Sequence, residues 1–305
     1  MFELQKPTEI QELKNELLTQ KEVRLFIKRE DQIDPCISGN KFRKLKYNFL
    51  KAEELGYKTI LTFGGAYSNH IHALAYAGNK YSFQTIGIIR GERIEPLNPT
   101  LKDSVEYGMR LEYISREHFR KKDDDEFIHA LKDKFGVVFI VPEGGSNTLA
   151  VEGCEEIIDE IDMDFDIICC SCGTGGTLAG IISGLKGDKK VLGFPVLKGG
   201  EFLKKEIDKL ILERNSRTWG NWELITDYHF GGYAKYNWDL ASFINKFKMD
   251  FRVQLDPVYT GKMMFGIFDL LEKDFFKKGS TLLAIHTGGL QGIRGFNERF
   301  GELIK

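Results

Sequence analysis

The chain has 305 residues, enough for two compact domains, and its 42% hydrophobic content is ordinary for a soluble globular protein. Its formal net charge of -2 gives no overall field that would recruit nucleic acid or an anionic membrane surface. No run of residues approaches the ~18 consecutive apolar positions that a transmembrane helix requires.

The opening segment and the cysteines favour one cellular compartment. Residues 1–18 carry charges throughout, so we expect neither a signal peptide nor a membrane anchor there. The five cysteines are odd in number, and Cys169, Cys170 and Cys172 lie close together, which argues against a disulfide framework. Their spacing is not that of a zinc site either. We therefore expect a cytoplasmic protein without a metal, whose cysteines pack as small hydrophobic residues.

Apolar runs of strand length alternate with amphipathic segments along almost the whole chain. Strands are predicted at residues 23–27, 59–63, 84–89, 111–114, 137–141, 165–170, 191–194, 223–226 and 281–285. Helical patterns are predicted at residues 42–55, 102–107, 117–134, 149–158 and 177–185. This alternation predicts an α/β fold with parallel, twisted sheets and helices on both faces. One sheet with so many strands would be large, so we expect two lobes.

One lysine occupies an unusual position in the first of these predicted helices. Lys41 follows a Gly-Asn turn and would lie in the first helical turn, where the positive end of the helix dipole disfavours an ammonium group. The pKa of Lys41 should therefore be lowered, which is one way to activate a lysine as a nucleophile for a carbonyl group. The alternative is that Lys41 is simply one of four cations, with Arg43, Lys44 and Lys46, on a solvated helix face.

Glycines gather where predicted strands lead into helices. Four such junctions, at residues 64–70, 143–147, 171–177 and 286–289, carry them. Ligands of open parallel sheets bind at the carboxyl ends of the strands, where these loops lie. The loops are therefore the predicted binding region.

The loop at residues 173–177, with the sequence G-T-G-G-T, has the composition of an anion cradle. Small residues let successive backbone N–H groups turn toward one point, and the following helix adds positive potential at its N-terminus. The loop is neither a Walker A motif nor a dinucleotide fingerprint, because the lysine of the former and the acidic residue of the latter are missing. It is typical of phosphate binding, and the alternative is a tight turn with close helix packing.

Two other regions offer polar groups to a ligand. Ser68, Asn69 and His70 bring a hydroxyl, an amide and an imidazole to a helix start, where a carboxylate or a phenolate could bind. Ser68 and Asn69 are also ordinary helix caps. Tyr259 follows an Asp-Pro turn opener and Tyr233 follows two glycines; both could equally be packing residues.

In combination these motifs resemble those of a known enzyme family. They are G-N-K with R-K-L at residues 39–45, G-G with S-N-H at 64–70, the loop at 173–177, D-P-V-Y-T-G-K at 256–262 and H-T-G-G at 286–289. Residues 26–290 thereby resemble the 1-aminocyclopropane-1-carboxylate deaminase / D-cysteine desulfhydrase family. The resemblance implies pyridoxal 5'-phosphate as cofactor, the tryptophan-synthase-β fold (fold type II), a small amino-acid substrate and a homodimer.

The resemblance also implies how the cofactor is held. Lys41 would form the Schiff base, Asn69 would hydrogen-bond the phenolic oxygen, and Thr287 would approach the pyridine nitrogen. The phosphate would be bound by the loop residues Gly173, Thr174, Gly175, Gly176 and Thr177.

For the substrate, the resemblance implies a second group of residues. Ser68, with Asn69 and His70 beside it, would receive the carboxylate. Tyr259 and Tyr233 would face the reacting carbons. The implied catalytic residues are Lys41, Ser68, Tyr259 and Tyr233.

The chain departs from the family pattern at two positions. The deaminase branch has a glutamate directly after the active-site tyrosine, whereas this chain has Thr260. The segment around Tyr233 is also shorter, reading G-G-Y-A-K at residues 231–235. A hydroxyl does not keep the pyridine nitrogen protonated as a carboxylate does, so the ring is a weaker electron sink. Opening a cyclopropane that has no Cα–H is demanding, and β-elimination from cysteine is easier.

The favoured reaction is therefore deaminating β-elimination on a small amino acid such as D-cysteine, giving pyruvate, ammonia and sulfide. The alternatives are 1-aminocyclopropane-1-carboxylate deamination to 2-oxobutanoate and ammonia, racemisation or dehydration of serine, and a non-catalytic ligand-binding protein on the same fold. We expect a large cofactor-binding domain from residues 1–46 and 144–305, and a small domain from residues 47–143.

Overall fold

Strands of two separate sheets organise the chain. The computed structural model describes residues 1–2 and 7–305. Within them the strands are β1 Ile10–Leu13, β2 Arg24–Lys28, β3 Thr59–Gly65, β4 Gln84–Arg90, β5 Arg110–Ile114, β6 Phe139–Val141, β7 Ile167–Cys172, β8 Lys190–Pro195, β9 Trp222–Leu224 and β10 Thr281–Ile285.

The larger sheet has six strands in the order β1-β2-β10-β7-β8-β9, and the smaller has four in the order β5-β4-β3-β6. All pairings are parallel except that of β1 with β2. This topology confirms the predicted α/β fold with parallel sheets. The prediction missed β1, because a four-residue edge strand, here I-Q-E-L, carries too short an apolar pattern to be recognised.

Helices connect most of the strands. They are α1 Glu16–Lys21, α2 Asn40–Glu54, α3 Asn69–Lys80, α4 Pro99–Glu106, α5 Arg116–Phe119, α6 Asp125–Phe135, α7 Thr148–Asp159, α8 Gly176–Leu185, α9 Leu203–Asn215, α10 Trp238–Phe251, α11 Thr260–Glu272 and α12 Gly292–Phe300, with short 3₁₀ turns at Glu30–Gln32, Glu143–Gly145 and Gly200–Phe202.

The helix predicted at residues 117–134 is in fact two helices, α5 and α6. The charged run at residues 120–126 interrupts the pattern, and α6 begins only at Asp125, with Asp125 and Glu126 at its positive end. The strand predicted from residue 137 begins at Phe139, because the side chain of Val137 is 81% exposed.

The larger sheet is buried on both faces. Along β10, Leu282 and Ala284 pack into the core that includes residues of α10 and α11, while Leu283 and Ile285 pack into the core of α7 and α8. This alternation follows from the two-residue period of a strand. Cys169, Cys170 and Cys172 are free thiols divided between the same two cores, as expected of small hydrophobic residues.

The two sheets use separate parts of the chain: the smaller lies within residues 59–141, and the larger takes residues 10–28 and 167–285. The predicted domain boundaries after residues 46 and 143 stay a prediction, and residues 3–6 of the predicted large domain lie outside the described residues. In the described residues, no helix is long and apolar enough to cross a membrane.

A buried ion-pair network fixes α2 against the larger sheet. The Arg43 side chain is fully buried; its Nε donates to Glu30 at 2.9 Å, and a terminal nitrogen donates to Glu160 at 2.6 Å. Lys28, also fully buried, lies 3.4 Å from Glu30 and 3.1 Å from Glu160. The network joins α2 to the end of β2 and to the C-terminal end of α7.

We expect Arg43→Met to lower the free energy of unfolding by about 3–5 kcal/mol, because it leaves buried carboxylates with only one cation. The matched control is Arg93→Met, which removes an exposed arginine paired with Glu95 at 2.6 Å and should cost about 0–1 kcal/mol. Chemical denaturation followed by circular dichroism measures both. Equal losses in the two variants would contradict the assigned role of the network.

Candidate active site

The four glycine-rich junctions meet one another in the structure. A Cβ on Gly144 would lie 2.7 Å from Thr174 Oγ1, and one on Gly289 would lie 2.6 Å from Asn69 Nδ2. A Cβ on Gly145 would lie 3.0 Å from His70 Cε1, which joins these two pairs. The loops after β3, β6, β7 and β10 are therefore in contact, at the carboxyl ends of strands from both sheets. This is the predicted binding region.

Lys41 lies in the first turn of α2, as predicted. The turn before it requires glycine, because Gly39 has φ +63° and a Cβ there would lie 2.0 Å from the carbonyl oxygen of Thr287. Lys41 is half-buried, and its Nζ donates to Asn40 Oδ1 at 3.0 Å. Burial, and secondly the positive charge of Lys44, lower the pKa of Lys41 to about 7. The direction matches the expectation, but burial is the main cause.

Asn40 connects Lys41 to the glycine loop, a role that the sequence did not reveal. Its Nδ2 donates to Thr177 Oγ1 at 2.8 Å, while its Oδ1 accepts the Lys41 hydrogen bond. Its backbone N–H donates to the Thr287 carbonyl at 3.2 Å. The side chain and the backbone of Asn40 thus connect the lysine to two of the binding loops.

The loop at residues 173–177 forms the entry to α8. Gly175 is the N-cap, with φ +84°, and a Cβ there would lie 2.7 Å from Ile207 Cγ1. Gly176 and Thr177 form the first helical turn and are buried. Among the described residues no side chain caps this helix, and its first turn holds no acidic residue. Its N–H groups are therefore available to an anion.

Lys44 is a site residue that the sequence reasoning grouped with the surface cations. The structure buries it, and its Nζ donates to Gly144 O at 2.6 Å and to Ser146 Oγ at 2.7 Å. Thr174 Oγ1 lies 3.4 Å away. Burial lowers the pKa of Lys44 to about 8. The sequence feature that could have revealed this is the spacing of the two lysines: Lys41 and Lys44 are three residues apart and therefore share one helix face.

Ser68 and Asn69 lie at the start of α3. Ser68 is the N-cap, and its Oγ accepts the Ile71 N–H at 3.3 Å. Asn69 Oδ1 accepts a hydrogen bond from Gln291 Nε2 at 2.5 Å. Gln291 was missed by the sequence reasoning. By engaging the oxygen of Asn69 it leaves the NH₂ group of that amide as the donor for a ligand.

His70 is almost completely buried behind these two residues. Its Nε2 lies 2.8 Å from Thr62 Oγ1, whose own proton goes to the Val141 carbonyl at 2.8 Å. His70 therefore donates from Nε2, and within the described residues its Nδ1 has no partner. Burial lowers the pKa of His70 well below its ordinary value, so the ring is neutral. The structure thus brings a neutral imidazole, not a cation, to this loop.

Tyr259 and Tyr233 form an aromatic pair on the other side of the glycine loop. Their ring centroids are 6.1 Å apart with an interplanar angle of 73°. A Cβ on Gly173 would lie 3.1 Å from the Tyr259 ring. Burial raises the pKa of Tyr259 well above its ordinary value, so its hydroxyl stays protonated. Tyr233 is 39% exposed.

The polar groups that end β7 and β10 are hydroxyls. Thr287 Oγ1 lies 3.1 Å from Ser171 Oγ, and both residues are buried. The Thr260 hydroxyl is not part of this pair, because it donates to Asp256 Oδ2 at 2.6 Å. Asp256 also accepts the N–H groups of Val258 and Tyr259, each at 2.8 Å. This carboxylate is therefore occupied in capping α11.

In the described part of the chain no cluster of three or more His, Cys, Asp or Glu residues could hold a metal ion.

Comparison with known proteins gives one consistent result. Residues 1–288 match a family model described as pyridoxal-phosphate dependent enzyme. The chain is 33% identical over 308 residues to the mitochondrial bifunctional D-cysteine desulfhydrase/1-aminocyclopropane-1-carboxylate deaminase of Arabidopsis thaliana, covering 92% of this chain and 76% of the relative. It is 26% identical to the D-cysteine desulfhydrase of Serratia proteamaculans, covering 90% and 88%. A solved structure described as an ACC deaminase homologue has a TM-score of 0.86 at 30% identity, covering 99% of this chain and 95% of that one.

The residues of the site fit a pyridoxal phosphate. Its aldehyde requires an amine that is neutral near physiological pH, and Lys41 is such an amine. Its phosphate requires N–H donors and a nearby cation, and these are present at the uncapped start of α8 and at Lys44 Nζ.

We expect reductive alkylation of Lys41 in the cofactor-free protein to accelerate as pH rises from about 6 to about 8 and then level off, because only the neutral amine reacts. Surface lysines, with an ordinary pKa of about 10.4, should still be accelerating at pH 8. Treatment with formaldehyde and cyanoborohydride, followed by peptide mass spectrometry, measures both classes in one sample. A Lys41 rate that keeps rising with pH as steeply as the rates of the surface lysines would overturn the assignment.

Proposed function

The chain belongs to the pyridoxal-phosphate dependent enzymes, within the 1-aminocyclopropane-1-carboxylate deaminase / D-cysteine desulfhydrase family, and we propose that it catalyses deaminating β-elimination on a small amino acid. With D-cysteine and water the products would be pyruvate, ammonia and sulfide. The D-cysteine desulfhydrase relatives support this substrate class.

The hydroxyl pair Thr287–Ser171 is the observation that carries the choice of reaction. In this proposal Thr287 meets the ring nitrogen of the cofactor. A neutral hydroxyl does not stabilise a protonated ring nitrogen as a carboxylate would. The nearby carboxylate of Asp256 does not take this role, because it accepts hydrogen bonds from the N–H and the hydroxyl of Thr260 in the cap of α11. Weaker electron withdrawal suits a substrate that has both a Cα–H and a good leaving group.

The cofactor would be held at three places. Lys41 would bind it covalently, and Asn69 would donate its NH₂ group to the phenolic oxygen. The phosphate would be held by the N–H groups of residues 173–177 together with Lys44. Bound pyridoxal phosphate supplies an electron-withdrawing ring that weakens the bonds at an amino acid's α-carbon.

The protein's own groups would orient the substrate and move protons. Ser68 and the backbone N–H groups at the start of α3 would bind the substrate carboxylate, with the neutral His70 ring packed behind them. Lys41 Nζ, with its lowered pKa, suits a group that takes the α-proton. The raised pKa of Tyr259 keeps its hydroxyl protonated, so this hydroxyl would donate a hydrogen bond to the leaving sulfur.

We expect Lys44→Met to raise the dissociation constant of pyridoxal phosphate roughly 10- to 100-fold, because a charge-assisted hydrogen bond contributes about 1.5–3 kcal/mol. The matched control is Lys46→Met on the same helix, whose Nζ pairs with Glu156 Oε1 at 2.5 Å and not with the loop. Absorbance titration of the cofactor-free proteins measures both constants. Equal affinities in the two variants would remove Lys44 from the phosphate site.

We expect D-cysteine and β-chloroalanine to be consumed much faster than 1-aminocyclopropane-1-carboxylate, because both offer a Cα–H and a good leaving group. A panel of small D- and L-amino acids with that compound, assayed for ammonia and 2-oxo acid, tests this, with Lys41→Arg as the inactive control. Ring opening as fast as elimination would refute the hydroxyl argument. Absence of turnover on every substrate would favour a non-catalytic binding protein.

A further inference from the structure

Another buried lysine lies near the site and has no role in the proposed chemistry. Lys262 is only 1% exposed and lies in the first turn of α11, three residues after Tyr259. Its Nζ donates to the carbonyl oxygens of His229 at 2.9 Å and Gly232 at 2.7 Å. These two acceptors belong to the loop that carries Tyr233.

The position of Lys262 is costly for α11 itself. A cation in the first turn of a helix is opposed by the positive end of the helix dipole. Burial adds to this cost and lowers the pKa of Lys262 to about 8. An ammonium group at this position stabilises neither the helix nor the core. We therefore look for its function in the loop whose carbonyl groups it binds.

The loop needs an external support. Four of its residues have positive φ: Phe230 at 54°, Gly231 at 93°, Gly232 at 123° and Ala234 at 53°. For Phe230 and Ala234 this conformation costs about 1–2 kcal/mol each. The loop's own hydrogen bonds, such as Gly232 N to His229 O at 3.0 Å, span only three residues. Without the ammonium, two carbonyl groups in a strained loop would lose their common donor.

Tyr233 lies between the supported residue Gly232 and the left-handed residue Ala234. Its ring packs edge-to-face on Tyr259, the N-cap residue of the helix that carries Lys262. We propose that Lys262 is a positioning residue that locks the loop at residues 229–235 onto α11 and thereby holds the Tyr233 phenol against Tyr259. The consequence for turnover rests on the proposed function, whereas the lock itself does not.

Hydrogen exchange tests the lock directly, with cofactor-loaded protein. In Lys262→Met the amides of Gly232 and Lys235, which donate to the same two carbonyl groups, should exchange at least about tenfold faster than in the unaltered protein. The matched control is Ile267→Val, a buried change in the same helix at a side chain that offers the loop no hydrogen bond. It should leave exchange at residues 229–235 unchanged. Equal loop exchange in the two variants would overturn the proposal.

If Lys262→Met does not fold, Lys262→Gln keeps a polar side chain that is one bond too short to reach both carbonyl groups. It should give loop exchange that is faster than in the unaltered protein, while α11 remains protected. Protection of the loop equal to that of the unaltered protein would refute the lock.

A double-mutant cycle then separates the lock from the proposed function. If Lys262 acts through Tyr233, Lys262→Met should lower kcat and change KM little, and adding it to Tyr233→Phe should cause little further loss. Fully additive losses would refute action through Tyr233. Faster loop exchange with a normal kcat in Tyr233→Phe would support the lock and remove Tyr233 from the catalytic residues.

Discussion

Helix α2 carries the half-buried Lys41 and the buried Lys44 into the binding region, and the ion pairs of Arg43 hold it there. Arg43 is directed to Glu30 and Glu160. Lys44 instead contacts the loop after β6, and Lys41 is connected to the loop at residues 173–177 through Asn40. The carboxylates are therefore used to anchor the helix and do not neutralise the two lysines. This separation lets burial lower the pKa values of both.

Close backbone approach is the second constraint on the site. Gly39 lies against the Thr287 carbonyl, Gly153 of α7 lies against the Arg43 carbonyl, and Gly176 lies against the end of Lys44. A Cβ at any of these positions would lie within 3 Å of another heavy atom. Helix α2 is thus packed closely against α7, α8 and the loop after β10, and the lysine positions follow from backbone contacts as much as from side chains.

The carboxylate near the site is used to cap a helix, whereas the strand ends present neutral hydroxyl groups, and this difference affects the choice of reaction. Asp256 is buried, but three backbone N–H groups and the Thr260 hydroxyl occupy it, so it caps α11. The same cap fixes the position of Tyr259. The strand ends instead present Ser171 and Thr287, which are neutral. This distribution of charge favours elimination over ring opening in the proposed function.

The sequence by itself determined the α/β alternation, most strand positions and the loops that would bind a ligand, because these depend on local periodicity and on where glycines follow apolar runs. It also indicated the lowered pKa of Lys41 from its place at a helix start. It could not reveal that Lys44 is buried, that Asn40 joins Lys41 to Thr177, or that Thr260 is turned to Asp256. Burial and hydrogen-bond partners depend on contacts between residues far apart in the chain, such as Asn40–Thr177, 137 positions apart, and Asn69–Gln291, 222 positions apart. Only the tertiary structure decides such contacts, because a local stretch of sequence does not determine which distant residues will pack against it.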